Sequence, residues 1–396
     1  MTASPRASVT SQPATTAVVA SATTAATFPA AGTAPNVALP PGPPLRPLAR
    51  VPIEQWTSFA DRIDVRAPSE FAEDHLPGAV NLPVLDDEER ARVGTIYAQV
   101  SAFDARKVGA ALVSRNIADI VQTHAADKPR EWSPLVYCWR GGQRSRALVH
   151  VLAEIGFRPV QLEGGYRAWR RHVVLMLAHL PQRFGFEVVS GLTGSGKSRL
   201  LGALAESGAQ VLDLERLARH RGSLLGDIPG DPQPYQKAFE SALYADLARF
   251  DPARPVFVES ESRRIGRLQL PEVLLETMRA SPVLRLDASR TLRVAMLEAD
   301  YAHLAGSGAA LQAQLAPLEK LHGKRTIARW AQWAAEGATT ELATELLELH
   351  YDPSYVRAIN RNFPRHREAR VLRVEATSDQ AFRALAATLL DEQPPG

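Results

Sequence analysis

The stretch Phe186-Glu187-Val188-Val189-Ser190-Gly191-Leu192-Thr193-Gly194-Ser195-Gly196-Lys197-Ser198-Arg199-Leu200 decides the reading of this chain. An apolar run long enough for a buried strand leads into G-x-x-x-x-G-K-S, and helix-forming residues to Glu206 follow. Strand, glycine-rich loop and helix in that order place backbone N–H groups and a helix N-terminus around one anion, the arrangement that holds a diphosphate. Gly191, Gly194 and Gly196 allow the tight turns, Ser195 completes the loop, Lys197 neutralises the outer phosphate, and Ser198 is positioned to ligate magnesium. The loop thus specifies a diphosphate but names no nucleoside: no guanine-reading Asn-Lys-x-Asp is present.

Outward from this loop, five apolar segments alternate with helical patterns: 186–190, 210–214, 256–259, 283–287 and 371–375. That alternation predicts a doubly wound parallel sheet. The strand Val256 to Glu259 ends in Glu259-Ser260-Glu261, where an acid or metal ligand is expected; Glu259 and Asp213 are the candidates, with Glu215 and Arg219 also facing the phosphate site. A first alternating series lies upstream, with strands expected at 62–65 and 135–137 and a helix at 145–155. The chain therefore divides into a tail (1–48), a first α/β domain (49–180) and a second (181–396) that ends in helical and basic segments. Residues 7–45 lack any Asp, Glu, Lys or Arg and are rich in Ala, Thr, Ser and Pro, a composition expected to be disordered.

Composition narrows the function classes. The 396 residues suit two or three domains, and 45% hydrophobic residues suffice for a core in each. One cysteine excludes a disulfide framework and a Cys-rich zinc site. The ten histidines include no pair spaced by four, so a helical His-x-x-x-His metal site is absent. A net charge of +3 announces no polyanion by itself, so any such binding must come from local patches. No apolar run approaches the ~20 residues of a membrane span, and a cytoplasmic protein is expected.

The single thiol lies in Tyr137-Cys138-Trp139-Arg140-Gly141-Gly142-Gln143-Arg144-Ser145, between a strand end and a helix start. Two glycines let loop N–H groups point inward, and Arg140 and Arg144 add positive charge. This setting favours a reactive thiolate able to attack or to carry sulfur, selenium or phosphorus. The loop resembles that of the rhodanese family. Asp64 to Phe71, His75 to Pro83 and Leu162 to Trp169 resemble three further signatures of that family, in order. Arg144 lies six positions after Cys138, where sulfur-transferring rhodaneses have five; Cys-x5-Arg is the spacing of related phosphatases with a wider loop. This wider spacing suggests a cradle for a phosphate or selenophosphate; Asp64, Arg66 and Glu70 are expected to support the loop or to be structural.

Basic clusters supply the remaining signal. Arg263, Arg264 and Arg267 follow the acidic strand end, and six arginines against one glutamate fall between Tyr355 and Arg373, including Arg361 and Arg365. All are candidate RNA-binding residues, with Tyr355 and Phe363 available to stack on bases; the distal stretch reads equally as a solvated helix face, whereas the position of Arg263, Arg264 and Arg267 beside the strand end favours ligand binding. Trp330 and Trp333 fit core packing at least as well as base stacking.

A rhodanese-like parallel-sheet domain followed by a P-loop NTPase-like doubly wound domain resembles the bacterial tRNA 2-selenouridine synthases. The segments that carry the likeness are Tyr137 to Gly142 with Arg144-Ser145, Gly191 to Ser198, Leu212 to Glu215, Ala218 to Ser223, Pro232 to Pro234, Val258 to Ser262 and Arg264 to Gly266. The resemblance implies S-geranylation of the wobble 2-thiouridine of tRNA by geranyl diphosphate, then replacement of the geranylated sulfur by selenium from selenophosphate. It implies Cys138, Arg140 and Arg144 at the selenium step, Gly191 to Ser198 at the geranyl step, no covalently bound cofactor, and another enzyme as supplier of selenophosphate. A nucleotide kinase fused to a persulfide-carrying or phosphatase-like rhodanese domain is the alternative, as is an oxyanion-sensing module.

Overall fold

The computed structural model describes residues 48–223, 226–228, 230–301 and 314–392. The expected disordered tail falls almost wholly outside them.

Two five-stranded sheets, both wholly parallel, carry the described chain. The first contains β1 (Arg50–Val51), β2 (Arg62–Asp64), β3 (Ala79–Asn81), β4 (Leu135–Tyr137) and β5 (Val160–Leu162), in the order β1-β5-β4-β2-β3. The second contains β6 (Phe186–Gly191), β7 (Gln210–Leu212), β8 (Val256–Glu259), β11 (Val283–Ala288) and β12 (Arg370–Val374), in the order β12-β11-β6-β8-β7. Between β8 and β11 in sequence, β9 (Arg264–Ile265) and β10 (Leu268–Gln269) form a small antiparallel hairpin. Helices cover the parallel strands, and no described helix is long and apolar enough to cross a membrane.

The central strands follow from their residues. A parallel strand covered on both faces must be apolar throughout, and Leu135, Val136 and Tyr137 of β4 are each 0% exposed. In β6, Val188 and Val189 are fully buried and lie in register with Val258 and Glu259 of β8. The expected strand at 210–214 stops at Leu212. Asp213 leaves the sheet to cap the next short helix, its carboxylate accepting the Arg216 N–H at 2.8 Å. The chain leaves β6 towards β7 on one side of the sheet and leaves β8 towards β11 on the other. The loops at the carboxyl ends of these strands therefore diverge, opening the crevice where doubly wound sheets bind ligands.

One apolar core joins both sheets. The helix Gly165–Leu177 packs on the helix Gln236–Leu247, and Trp169, fully buried, sits at their junction. Its ring meets Trp56 at 5.0 Å and Tyr244 at 5.5 Å, and its indole N–H donates to Ser241 Oγ at 3.1 Å. Polar bonds ring this contact: Lys237 to Glu73 at 2.6 Å, His172 to the Tyr244 hydroxyl at 2.8 Å, and Arg170 to Glu240. A second cluster gathers the helices after residue 314 around Trp330, which is 0% exposed. Trp330 is thus a core residue, and base stacking by it is excluded.

The junction can be tested by truncation. Trp169→Ala removes a fully buried indole and should lower the unfolding free energy by about 3–5 kcal/mol in guanidinium denaturation. Trp169→Phe, which keeps most ring contacts, should cost less; equal and negligible losses would show that the two sheets do not share this core.

Candidate functional sites

The cysteine loop follows from β4, the central strand of the first sheet. Cys138 is 3% exposed, and its Sγ accepts hydrogen bonds from the Gly142 N–H and from the Ser145 hydroxyl, both at 3.2 Å. Ser145 stands in the first turn of the helix Gln143–Ile155, so the thiol faces that helix's N-terminal end. The buried Gln161 of β5 donates to the carbonyls of Gly141 and Gly142 at 3.0 and 3.3 Å and to Ser145 Oγ at 2.8 Å. Gly165 takes a φ of +56°, and a Cβ there would lie 2.2 Å from the Cys138 carbonyl oxygen, so only glycine lets the closing segment pack on the loop.

Beneath the loop lies a buried polar network. Asp64 and Arg66 form an ion pair at 2.6 Å with both side chains fully buried, and Arg66 also donates to the Asp74 carbonyl at 2.6 Å. Tyr166 donates to the Asp74 carboxylate at 2.8 Å, and the Tyr137 oxygen accepts the Leu76 N–H at 3.1 Å. Arg144 is held by Glu70 at 2.7 Å. Burial alone would raise Glu70, but the Arg144 hydrogen bond and charge bring it below the usual carboxylate range. Arg140 is solvent-exposed at the loop tip.

The phosphate loop follows from β6, the central strand of the second sheet. Gly194 and Gly196 take φ values of +77° and +87°, and a Cβ at Gly196 would lie 2.3 Å from the Phe382 ring. Lys197 Nζ donates to the Gly191 carbonyl at 3.1 Å, and Ser198 Oγ donates to Glu215 at 3.1 Å. Ser195 is 1% exposed, and its hydroxyl has no partner among the described residues. Two side chains outside the motif hold the loop: the Gly191 N–H donates to the Tyr355 hydroxyl at 2.8 Å, and Arg293 Nε donates to the Thr193 carbonyl at 2.8 Å.

Four carboxyl groups cluster beside the loop. Glu259 is 2% exposed and accepts the Glu215 N–H at 2.6 Å; burial, then the neighbouring carboxylates, raise it well above the ordinary range. Burial and the adjacent Glu215 push Glu261 up to about 8, so it carries a proton at neutral pH. Asp213 and Glu215 are raised as well, chiefly by burial. The sequence pointed to Glu259 and Asp213. The structure ties Glu259 to the Glu215 backbone and Asp213 to a helix cap, and leaves Glu215 as the carboxylate bonded to Ser198. Arg219 pairs with Asp231 at 3.0 Å and does not line the cleft.

This loop forms one end of a cleft of about 760 Å³. Lys197, Ser198, Glu215 and Glu261 supply its polar end, while Leu297, Tyr301, Tyr351, Tyr355, Ala358 and Ile359 supply an apolar and aromatic wall. The wall is not legible in the sequence because it comes from the helices Arg290–Asp300 and Asp352–Asn362 and the residues that cap them, Tyr301 and Tyr351, far from the loop along the chain.

The basic candidates are exposed: Arg263, Arg264, Arg267, Arg361 and Arg365 all reach solvent. Arg263 lies 3.6 Å from Glu272, Arg267 donates to the Gln233 carbonyl, and Arg365 donates to the Ala280 carbonyl at 3.0 Å. The expected aromatic partners are elsewhere. Phe363 is 2% exposed and belongs to the core, and Tyr355 is committed to the phosphate loop, so neither is placed to stack on bases beside these arginines.

Comparison with known proteins agrees with this two-domain layout. Residues 54–172 match the model of the rhodanese-like domain, and residues 184–371 match that of the tRNA 2-selenouridine synthase AAA domain. Relatives named tRNA 2-selenouridine synthase include one from Bdellovibrio bacteriovorus, 38% identical over 264 residues, which are 63% of this chain and 67% of that protein. One from Cupriavidus pinatubonensis is 40% identical over 250 residues, 62% of this chain and 67% of the relative. One from Nitrosomonas europaea is 38% identical over 250 residues, 60% of this chain and 63% of the relative. The match thus spans about two thirds of these curated relatives or slightly less. With a rhodanese-like sheet carrying Cys138 and a second parallel sheet carrying Lys197, the chain belongs to the tRNA 2-selenouridine synthase family.

Proposed function

We propose that this chain converts the wobble 2-thiouridine of tRNA to 2-selenouridine in two steps, one at each loop. The observation that carries the reading is the cleft at Lys197. An anion-binding loop opens onto an apolar wall, which suits an anionic head joined to an isoprenoid tail.

In the first step the thiocarbonyl sulfur attacks C1 of geranyl diphosphate. The C1–O bond breaks, diphosphate departs, and the uridine N3 gives up its proton. The charge that develops on the departing diphosphate falls where Lys197 and the loop N–H groups stabilise it. Magnesium fits this end: it keeps several waters and takes one or two protein oxygens beside phosphate. Ser198 and Glu215 would supply those oxygens, and the bound ion would add charge neutralisation.

In the second step selenium from selenophosphate becomes bonded to C2 and the geranyl thiolate leaves to be protonated as geranylthiol, while water attacks phosphorus, the P–Se bond breaks to release phosphate, and N3 is protonated again. Cys138, with donors from Gly142 and Ser145, is suited to handle the selenium, and exposed Arg140 to draw in the selenophosphate. Arg144, paired with Glu70, positions the loop. Residues 49–180 thus serve the chalcogen and 181–396 the prenyl diphosphate. Arg263, Arg264, Arg267, Arg361 and Arg365 neutralise tRNA phosphates. A separate enzyme supplies selenophosphate, and the work is cytoplasmic, where tRNA is.

Two substitutions separate the steps. Cys138→Ala should abolish selenium incorporation while geranylated tRNA accumulates, as read by mass spectrometry of digested nucleosides; loss of geranylation too would contradict the division. Lys197→Ala should slow geranyl transfer by about 10²–10³-fold. An unchanged rate would remove the loop from the first step.

A further inference from the structure

We propose that Tyr355 makes the phosphate loop selective for a diphosphate by occupying the place that a third phosphate would need. The inference rests on the reading of this loop as a diphosphate site and adds what excludes a longer chain.

In a loop of this type the backbone N–H groups hold two phosphates, and the lysine reaches towards the outer one and any third beyond it. A third phosphate would therefore lie past Lys197 Nζ, towards the carboxyl end of the neighbouring strand, here β8. That corner is filled. The Tyr355 ring centre lies 5.7 Å from Lys197 Nζ, and its hydroxyl accepts the Gly191 N–H at 2.8 Å and lies 3.2 Å from Ser260 Oγ, just beyond β8. The ring thus spans the start of the loop, the ammonium group and the strand end.

The tyrosine is held in place from its own helix. Asp352, one turn before it, accepts from Arg293 Nη1 at 3.0 Å, and the same buried guanidinium donates through Nε to the Thr193 carbonyl at 2.8 Å. The helix Asp352–Asn362 is therefore fastened to the loop at Gly191 and again at Thr193. Swinging the ring out would strip the Gly191 N–H of its partner.

Isothermal titration of the full chain with inorganic pyrophosphate and with tripolyphosphate isolates phosphate count from prenyl or nucleoside contacts. The wild type should prefer pyrophosphate by about 30-fold or more, the range of steric exclusion from a shaped pocket. Tyr355→Ala should bring the two affinities within about threefold, whereas Tyr355→Phe, which keeps the ring, should retain the preference. Equal binding by the wild type, an unchanged preference in a folded Tyr355→Ala protein, or collapse of the preference in Tyr355→Phe would overturn the proposal. Binding of neither anion by the wild type would overturn it together with the diphosphate reading. A preference for pyrophosphate in a protein that transfers no geranyl group would sink the geranyl assignment alone.

Discussion

Both candidate loops hang from a strand buried on its two faces. β4 and β6 each run through the centre of a parallel sheet, and neighbours on either side fix their backbone by hydrogen bonds that leave no freedom of register. The loop that leaves such a strand inherits its direction, and the helix that follows turns its free N–H groups back on the same point. Cys138 and Lys197 are positioned by this constraint before any side chain is considered. The glycines that follow serve it: a Cβ at Gly165 or Gly196 would collide with atoms that cannot move aside without shifting a strand or a core ring.

The same constraint decides what the sequence makes legible. Central strands covered on both faces appear as apolar runs, and all five strands of the second sheet lie where such runs fall. The edge strands of the first sheet do not announce themselves: β1 has two residues and β3 three, with mixed exposure, and neither has a pattern long enough to read. The hairpin of β9 and β10 consists of two-residue strands about Gly266, at a φ of +56°. Asp213 extended the apparent strand Gln210–Leu212 because an aspartate after apolar residues reads as a strand end, whereas its carboxylate caps a helix.

The candidate sites divide along a similar line. Motif residues are adjacent in sequence, so their spacing reveals them. The residues that hold the motifs come from distant segments: Gln161 braces the cysteine loop from β5, and Tyr355 and Arg293 brace the phosphate loop from two later helices. Side-chain direction was the other hidden quantity. The arginines of the distal basic stretch face solvent, but the aromatics interleaved with them, Tyr355 and Phe363, turn inward. A composition that looked like an RNA-stacking surface is a basic face over an apolar wall.

The central claim, that one chain uses a prenyl diphosphate to prepare a sulfur for replacement by selenium, is tested most directly by following products over time. Purified full-length protein would be mixed with 2-thiouridine tRNA, geranyl diphosphate and selenophosphate, and nucleosides sampled by mass spectrometry. The account predicts that S-geranyl-2-thiouridine rises first and falls as 2-selenouridine appears, with no selenium product when geranyl diphosphate is left out. Selenouridine formed at the same rate without geranyl diphosphate would contradict it.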